Sequence, residues 1–245
     1  MDLYVVTGGS KGLGLALVEK VLSEGHMCLS ISRSGNSELK TKYSASQFLE
    51  IKFDLIKKFN LFAKKFDQTL KKINLKKIEN IFIINNAAQI QPVAEVGQLN
   101  PAEIEKHYYL NITFPVLFTN HFLAKKLKIK GLQTFVQISS GAARFAITNW
   151  SIYCSGKAAI EMFNDVMQIQ LQKNNKIKAI TYSPGIIDTG MQSVIRSFKS
   201  KDFPEVQRFK DYKKSNELKS PEFVAESLYQ LIQNPNKLTD KTYSL

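Results

Sequence analysis

Residues 3–14 read LYVVTGGSKGLG. An apolar, β-branched run comes first, then a cluster of glycines, then the start of a helical pattern. The run 3–7 predicts a strand. Leu13, Leu17 and Val21 share one face of a helix over 12–24, which Gly25 closes as a C-terminal cap. A glycine triplet alone is only a turn. Between a first strand and a first helix, Gly8, Gly12 and Gly14 stand where backbone turns sharply and approaches a pyrophosphate. The helix N-terminus then offers free N–H groups to the anion.

The same alternation continues along the chain. MCLSIS (27–32) and a stretch near 47–53 predict strands, and 56–75 a lysine-rich amphipathic helix. IFIIN (81–85) is apolar on both faces, as a buried parallel strand should be. NPAE (100–103) offers an Asn cap, Pro at the first helical position and Glu at the third, so a helix should run to about Lys126. Strands at 134–139 and 177–182 flank a long helix over 151–173. SPEF (220–223) caps a last helix, and KTYSL (241–245) suits a closing strand. The pattern predicts an α/β Rossmann-type doubly wound parallel sheet, three layers αβα, as one domain over 1–245. The polar stretch 190–219 is long for a connection and is expected to be an irregular substrate loop.

Composition narrows the functional classes. A chain of 245 residues with 44% hydrophobic content can bury a core. No apolar run reaches ~18 residues, so no membrane helix is expected. The start of the chain lacks the basic and long apolar regions of a signal peptide, which favours the cytoplasm. Cys28 and Cys154 have neither metal-ligand nor disulfide spacing. His26, His107 and His121 are scattered, so no metal is expected. The net charge of +13 raises the question of nucleic acid. The excess lies in lysines spread over helices, as in KKFNLFAKKFDQTLKKINLKK (57–77), without a nucleic-acid module. Solvated helix faces explain it better, and no nucleic-acid partner is expected.

About 20 residues past the glycines, a Rossmann-type site reads the adenosine ribose. An acid there binds a 2′-hydroxyl, and an arginine accommodates a 2′-phosphate. Here stand Ser32, Arg33 and Ser34, with Lys11 in the glycine loop as a second cation. Both point to NADPH/NADP+ rather than NAD. Further along, WSIYCSGK (150–157) spaces Tyr153 and Lys157 four apart, which stacks them on one helix face. Cys154 points about 100° away from Tyr153 and is assigned no chemistry.

These motifs together resemble the short-chain dehydrogenase/reductase family over nearly the whole chain. Thr7-Gly8-x-x-x-Gly12-x-Gly14, NNAA (85–88), Asn111, ISS (138–140), Tyr153-x-x-x-Lys157 and PG (184–185) occur in the family's order. GAA (141–143), YCSGKAA (153–159), DTGMQ (188–192) and VIRS (194–197) resemble its sepiapterin reductase and bacterial benzil reductase members. Alanine at Ala88 departs from the more usual glycine. The resemblance implies that Tyr153 gives a proton to the substrate oxygen, and that Lys157 lowers its pKa and holds the nicotinamide ribose. Moving a phenol from ~10 toward ~7 needs about 4 kcal/mol of preferential phenolate stabilisation. Ser140 would orient the carbonyl. It is preferred to Ser139 for its interval of thirteen residues to Tyr153, and strand alternation sends the two serines to opposite faces. Asn111 would hold a water of a proton relay.

By the same resemblance the cofactor would touch Gly8, Ser10, Lys11, Gly12, Leu13, Gly14, Ser32, Arg33 and Ser34. Asn86, Ala87 and Ala88 would line its ribose side, and Pro184, Gly185, Ile187 and Thr189 the carboxamide. Asp54, with Leu55, either contacts the adenine or caps the helix that follows. A homodimer or homotetramer through the helices carrying Asn111 and Tyr153 is implied too.

For substrate, Phe145, Trp150, Met191, Ile195 and Phe198, with Ile147, can form an apolar pocket. Phe145 and Ile195 are the two most suited to packing the core instead. The expected reaction is reduction of a bulky apolar ketone or 1,2-diketone, of the benzil to (S)-benzoin type. The alternatives are a sepiapterin (pterin side-chain) reductase and a catalytically silent NADP-binding regulator. The pterin enzymes resemble one another in an acid near the C-terminus; KTYSL has none, and Asp240 just precedes it.

Overall fold

A computed structural model describes residues 1–171, 173–235, 238 and 242–245. Asp240 lies outside the described residues. Strand β1 (Leu3–Thr7) leads through the glycine loop into α1 (Gly12–Ser23). The helix ends where expected: Gly25 takes φ +77, and the His26 and Gly25 N–H groups bond back to Val21 and Leu22. Next come β2 (Met27–Ser32), α2 (Ser37–Lys42), β3 (Phe48–Lys52), α3 (Phe59–Leu70) and β4 (Ile81–Asn85). After α4 (Pro101–Tyr108) a π-helical turn, Tyr109–Thr113, leads into α5 (Phe114–Ala124). The chain continues with β5 (Gln133–Ile138), α6 (Ser151–Leu171), β6 (Ile177–Ser183), α7 (Gly190–Ser197), α8 (Val206–Lys214), α9 (Pro221–Ile232) and β7 (Thr242–Ser244).

The seven strands form one parallel sheet in the order β3-β2-β1-β4-β5-β6-β7. Alternate residues of each strand feed two apolar layers. Tyr4 and Val6 pack toward α1 and α9, whereas Leu3 and Val5 face α3 and α5. On the second face Phe62, Phe66, Phe114, Phe118 and Phe122 meet mostly edge to face and are almost wholly buried. Each such ring is worth roughly 2–3 kcal/mol of burial. This is the doubly wound α/β Rossmann-type fold, and the chain leaves the β1/β4 junction in opposite directions. Such a junction opens a crevice at the carboxyl ends of the strands.

Four expectations change. The stretch 190–219 is not irregular: it holds α7 and α8, because Phe203, Val206, Phe209 and Tyr212 recur at helical spacing and bury against Trp150. The helix expected over 56–75 begins only at Phe59, after a turn in which Lys57 N–H bonds to Asp54 carbonyl. The helix expected from 100 to about Lys126 is broken at its middle by the π turn. The short α2, capped by Asn36 on the Leu39 N–H, was not foreseen, since Leu39 is its only buried apolar residue.

Candidate active site

The glycine loop is built around Thr7. Its Oγ1 accepts the Asn86 and Ala87 N–H groups at 3.0 and 3.1 Å, while Asn86 Nδ2 donates to the Thr7 carbonyl at 3.0 Å. The loop after β4 is thereby fastened to the loop after β1. The approach is so close that a Cβ at Gly14 would collide with the Gly8 carbonyl, and one at Gly8 (φ +73) would lie 2.9 Å from Asn86 Nδ2. Lys11 precedes α1 in extended conformation without a side-chain cap, and the first turn carries no acid. The N-terminal N–H groups of α1 therefore face the crevice with no side chain of the helix claiming them.

One cavity of about 1220 Å³ runs from this loop across the strand ends. It brings together Gly8, Ser10, Lys11, Gly12, Leu13, Gly14, Ser32, Arg33, Ser34, Asp54, Leu55, Asn86, Ala87 and Ala88 with Pro184, Gly185, Ile187 and Thr189. Ser140, Tyr153 and Lys157 line the same space. At the tip of β2 Arg33 is exposed and makes no ion pair among the described residues. Glu50, beside the turn after β2, is committed to Lys40 at 2.7 Å and to the Asn36 N–H. Asp54 does not cap α3, whose cap position is Lys58. Its carboxylate accepts the Ile56 N–H at 3.4 Å and borders the cavity. The uncapped helix end, the glycine cradle and an unpaired guanidinium fit a phosphorylated dinucleotide.

The opposite end of the cavity is apolar. Phe145, Ile147, Trp150, Met191 and Ile195 border it, together with Ile90, Phe209 and Tyr212, which sequence reasoning missed. Trp150 meets Tyr153 edge-on at 5.4 Å and stacks on Phe203 at 5.1 Å, so α8 and the segment before it hold it in place. Phe145 does not pack the core: it is 71% exposed at the rim. Ile195 is buried at 4% yet still touches the cavity. Phe198 lies outside the lining. Its ring sits against Phe203, because α7 ends at Ser197 and the chain turns back under the helix pair.

Tyr153 and Lys157 both lie on α6 and are nearly buried, at 6% and 5% exposure. Lys157 Nζ donates to the Ile138 carbonyl at 2.8 Å and stands 5.7 Å from the Tyr153 ring centre. Ser140 borders the cavity with the phenol, and its hydroxyl accepts the Ala142 N–H at 3.2 Å. Ser139, by contrast, is buried, and its hydroxyl has no partner among the described residues. Cys154 Sγ points to the Phe145 carbonyl at 3.7 Å, away from the pair.

The resemblance implies a phenol lowered by Lys157 together with an oxidised nicotinamide; the lysine alone does not do it. In the protein alone the phenol is not lowered: desolvation pushes it up to about 12, Ser140 opposing and Cys154 adding to the rise. Desolvation likewise brings Lys157 down to about 8, with Glu161 pulling the other way. The ammonium that should stabilise a phenolate is itself starved of water and anchored on a carbonyl.

Asn111 is fixed by its neighbours. It sits in the π turn, where the Phe114 N–H reaches back to the Tyr109 carbonyl, and it does not border the cavity. Its Oδ1 accepts the Gln89 N–H at 3.0 Å, and its Nδ2 donates to the Gln89 carbonyl at 2.9 Å and to His107 Nε2 at 2.9 Å. The amide is thus spent on holding the strand-four loop, which leaves it no N–H for a relay water.

The comparisons agree with this geometry. Residues 3–200 match the model of the short chain dehydrogenase family. A benzil reductase ((S)-benzoin forming) of Bacillus subtilis is 36% identical over 234 residues, covering 95% of this chain and 94% of that protein. Sepiapterin reductase of Meriones unguiculatus is 30% identical over 247 residues, covering 94% and 90%. A solved short chain dehydrogenase/reductase from Saccharomyces cerevisiae superposes with a TM-score of 0.85 at 25% identity, covering 100% of this chain and 96% of that one. A matched glycine cradle, a Tyr-Lys pair on α6 and the matched family sequence lead to one conclusion: the chain belongs to the short-chain dehydrogenase/reductase family of oxidoreductases.

Proposed function

We propose that the protein is an NADPH-dependent carbonyl reductase acting on a bulky apolar ketone or 1,2-diketone. The observation that carries this reading is that Tyr153, Ser140 and Lys157 line one cavity where the glycine-loop crevice meets an apolar chamber. The Bacillus benzil reductase similarity supports the diketone. Bound NADPH supplies a hydride to the carbonyl carbon. Tyr153 gives its hydroxyl proton to the carbonyl oxygen as the C–O π bond becomes a C–O–H single bond. Ser140 donates a hydrogen bond to that oxygen and fixes which face of the carbonyl is presented. Lys157, held on Ile138, keeps a cation beneath the phenol as it loses its proton. Trp150, Ile195 and Phe209 exclude water from the reacting oxygen.

NADPH is favoured over NADH because Arg33 has no carboxylate partner and Glu50 is already occupied. A homo-oligomer through α6 and its neighbours is supported by Met162, Val166 and Ile169, exposed at 64%, 46% and 54% along one side of α6. The reading places the protein in the cytoplasm. Among the described residues no helix is long and apolar enough to cross a membrane.

Tyr153→Phe removes only the transferable proton. Turnover should fall by ~10²–10⁴-fold, with NADPH affinity by calorimetry nearly unchanged. A variant keeping over half of the wild-type kcat defeats the assignment. Arg33→Asp exchanges a charge-assisted bond for repulsion. It should cost NADPH at least about tenfold in preference over NADH, read from kcat/KM with each. Equal use of the two by the wild type overturns the cofactor reading. For substrate, kcat/KM for benzil should exceed that for sepiapterin, and chiral chromatography should show one enantiomer of benzoin. Faster sepiapterin turnover selects the pterin reading, and racemic benzoin contradicts a single fixed pose.

A further inference from the structure

His107 lies at the end of α4, four residues before Asn111, and is fully buried. Both ring nitrogens are engaged. Nδ1 is 2.6 Å from the Gln91 carbonyl oxygen, and Nε2 is 2.9 Å from Asn111 Nδ2. Which nitrogen carries the proton follows from the neighbours. Asn111 meets both the N–H and the carbonyl of Gln89, so its amide has only one orientation that pairs donor with acceptor. Its second N–H must then point at Nε2, which accepts. Nδ1 must carry the hydrogen, because the Gln91 oxygen can only accept. The ring is therefore neutral, with its hydrogen on Nδ1.

The same ring reaches α6. It stands edge-on to Tyr153, with centroids 6.1 Å apart at 85°. A Cβ at Gly156 would lie 3.2 Å from Nε2, so the absence of a side chain there lets α6 come this close. Gln89 and Gln91 border the cavity directly after the cofactor-lining Ala88. His107 thus touches three parts of the site at once: the loop after β4, the Asn111 turn and the helix that carries Tyr153.

We infer that neutral His107 is a positioning residue of this reductase, pinning the Gln89–Gln91 wall to the Asn111 turn and to α6 beside Tyr153. The ring lets go when protonated. A proton on Nε2 would set N–H against N–H, and Asn111 cannot turn without losing both bonds to Gln89. The titratable groups facing the ring are Lys157 and Tyr153 from α6 and Tyr108 from α4; the Gln89–Gln91 segment brings none. Burial first, and then Lys157, hold the imidazole below its ordinary value of 6.5, while the Gln91 bond opposes. The grip is therefore intact well above the lowered value and lost as pH falls through it. Lys157, near 8, and Tyr153, near 12, titrate above this range, so an acid limb below 6.5 that His107→Gln removes belongs to His107.

The kinetic half of the test rests on the carbonyl reductase reading, and the spectroscopic half does not. His107→Phe keeps a ring but neither bond. It should lower kcat at least about tenfold and move the NADPH KM by less than about threefold, since the glycine cradle is untouched. His107→Gln can place an amide oxygen where Nε2 accepts from Asn111. It should recover most of kcat and lack the acid limb of the wild type. Nitrogen-15 NMR of the histidine rings needs no substrate, and with three histidines in the chain the signal missing from His107→Gln is assigned at once. It should report a hydrogen on Nδ1, a bare Nε2 and protonation only below 6.5. A hydrogen on Nε2 at neutral pH overturns the inference, as do wild-type kcat and an unchanged acid limb in His107→Phe. If no carbonyl compound is reduced, the function proposal fails while the NMR result still decides the tautomer.

Discussion

The hydrogen bond from Lys157 Nζ to the Ile138 carbonyl, inside the protein at the end of β5, governs the chemistry of the site. It fixes an ammonium where water cannot reach it and stacks that cation one turn from a buried phenol. Neither group is comfortable in its charged form. Desolvation moves the lysine down and the tyrosine up, so the pair at rest is closer to neutral than a textual reading of Tyr-x-x-x-Lys suggests. In our reading the phenol stays a proton donor until a positively charged nicotinamide dinucleotide joins the lysine beside it. A site held this way keeps its proton in the free protein.

The rest of the fold serves that placement. The strand order reverses between β1 and β4, which opens a crevice at their carboxyl ends. Thr7 ties its two lips together, and the glycine contacts keep side chains out of it. On the far side, Phe203 and Phe209 lock Trp150 against Tyr153, so the apolar chamber and the Tyr153 phenol share a wall. The Asn111 turn and His107 brace the loop between the two halves. Changes at α7 and α8 are thus expected to alter substrate choice without disturbing the glycine cradle.

Sequence made the cradle and the Tyr153–Lys157 face of α6 legible because their geometry is local. Positive φ at Gly8 and Gly12 and the Tyr153–Lys157 spacing are imposed within one turn of chain, and residue types record them directly. The α7–α8 pair was obscured because Phe203, Val206, Phe209 and Tyr212 are interleaved with polar residues such as Glu205, Arg208, Lys210 and Asp211, although their spacing was there to be read. Phe198 was expected at the pocket and packs on Phe203 instead, because α7 ends at Ser197 and the chain turns there. The π turn has no residue signature, so the commitment of the Asn111 amide was not visible. The direction of the Tyr153 shift is a tertiary effect as well: burial under Trp150 and α8 decides it, not its lysine neighbour.

In our reading burial keeps Tyr153 protonated until the cofactor's positive charge arrives. Carbon-13 NMR of ζ-labelled tyrosine, with Tyr153→Phe to assign the resonance, tests this directly through a pH titration of the free protein and of its NADP+ complex. In the free protein the phenol should remain protonated beyond the ordinary tyrosine value of 10, toward about 12, and NADP+ should bring its titration well below 10. A phenolate at pH 8 without cofactor, or a titration that NADP+ leaves in place, would contradict the account.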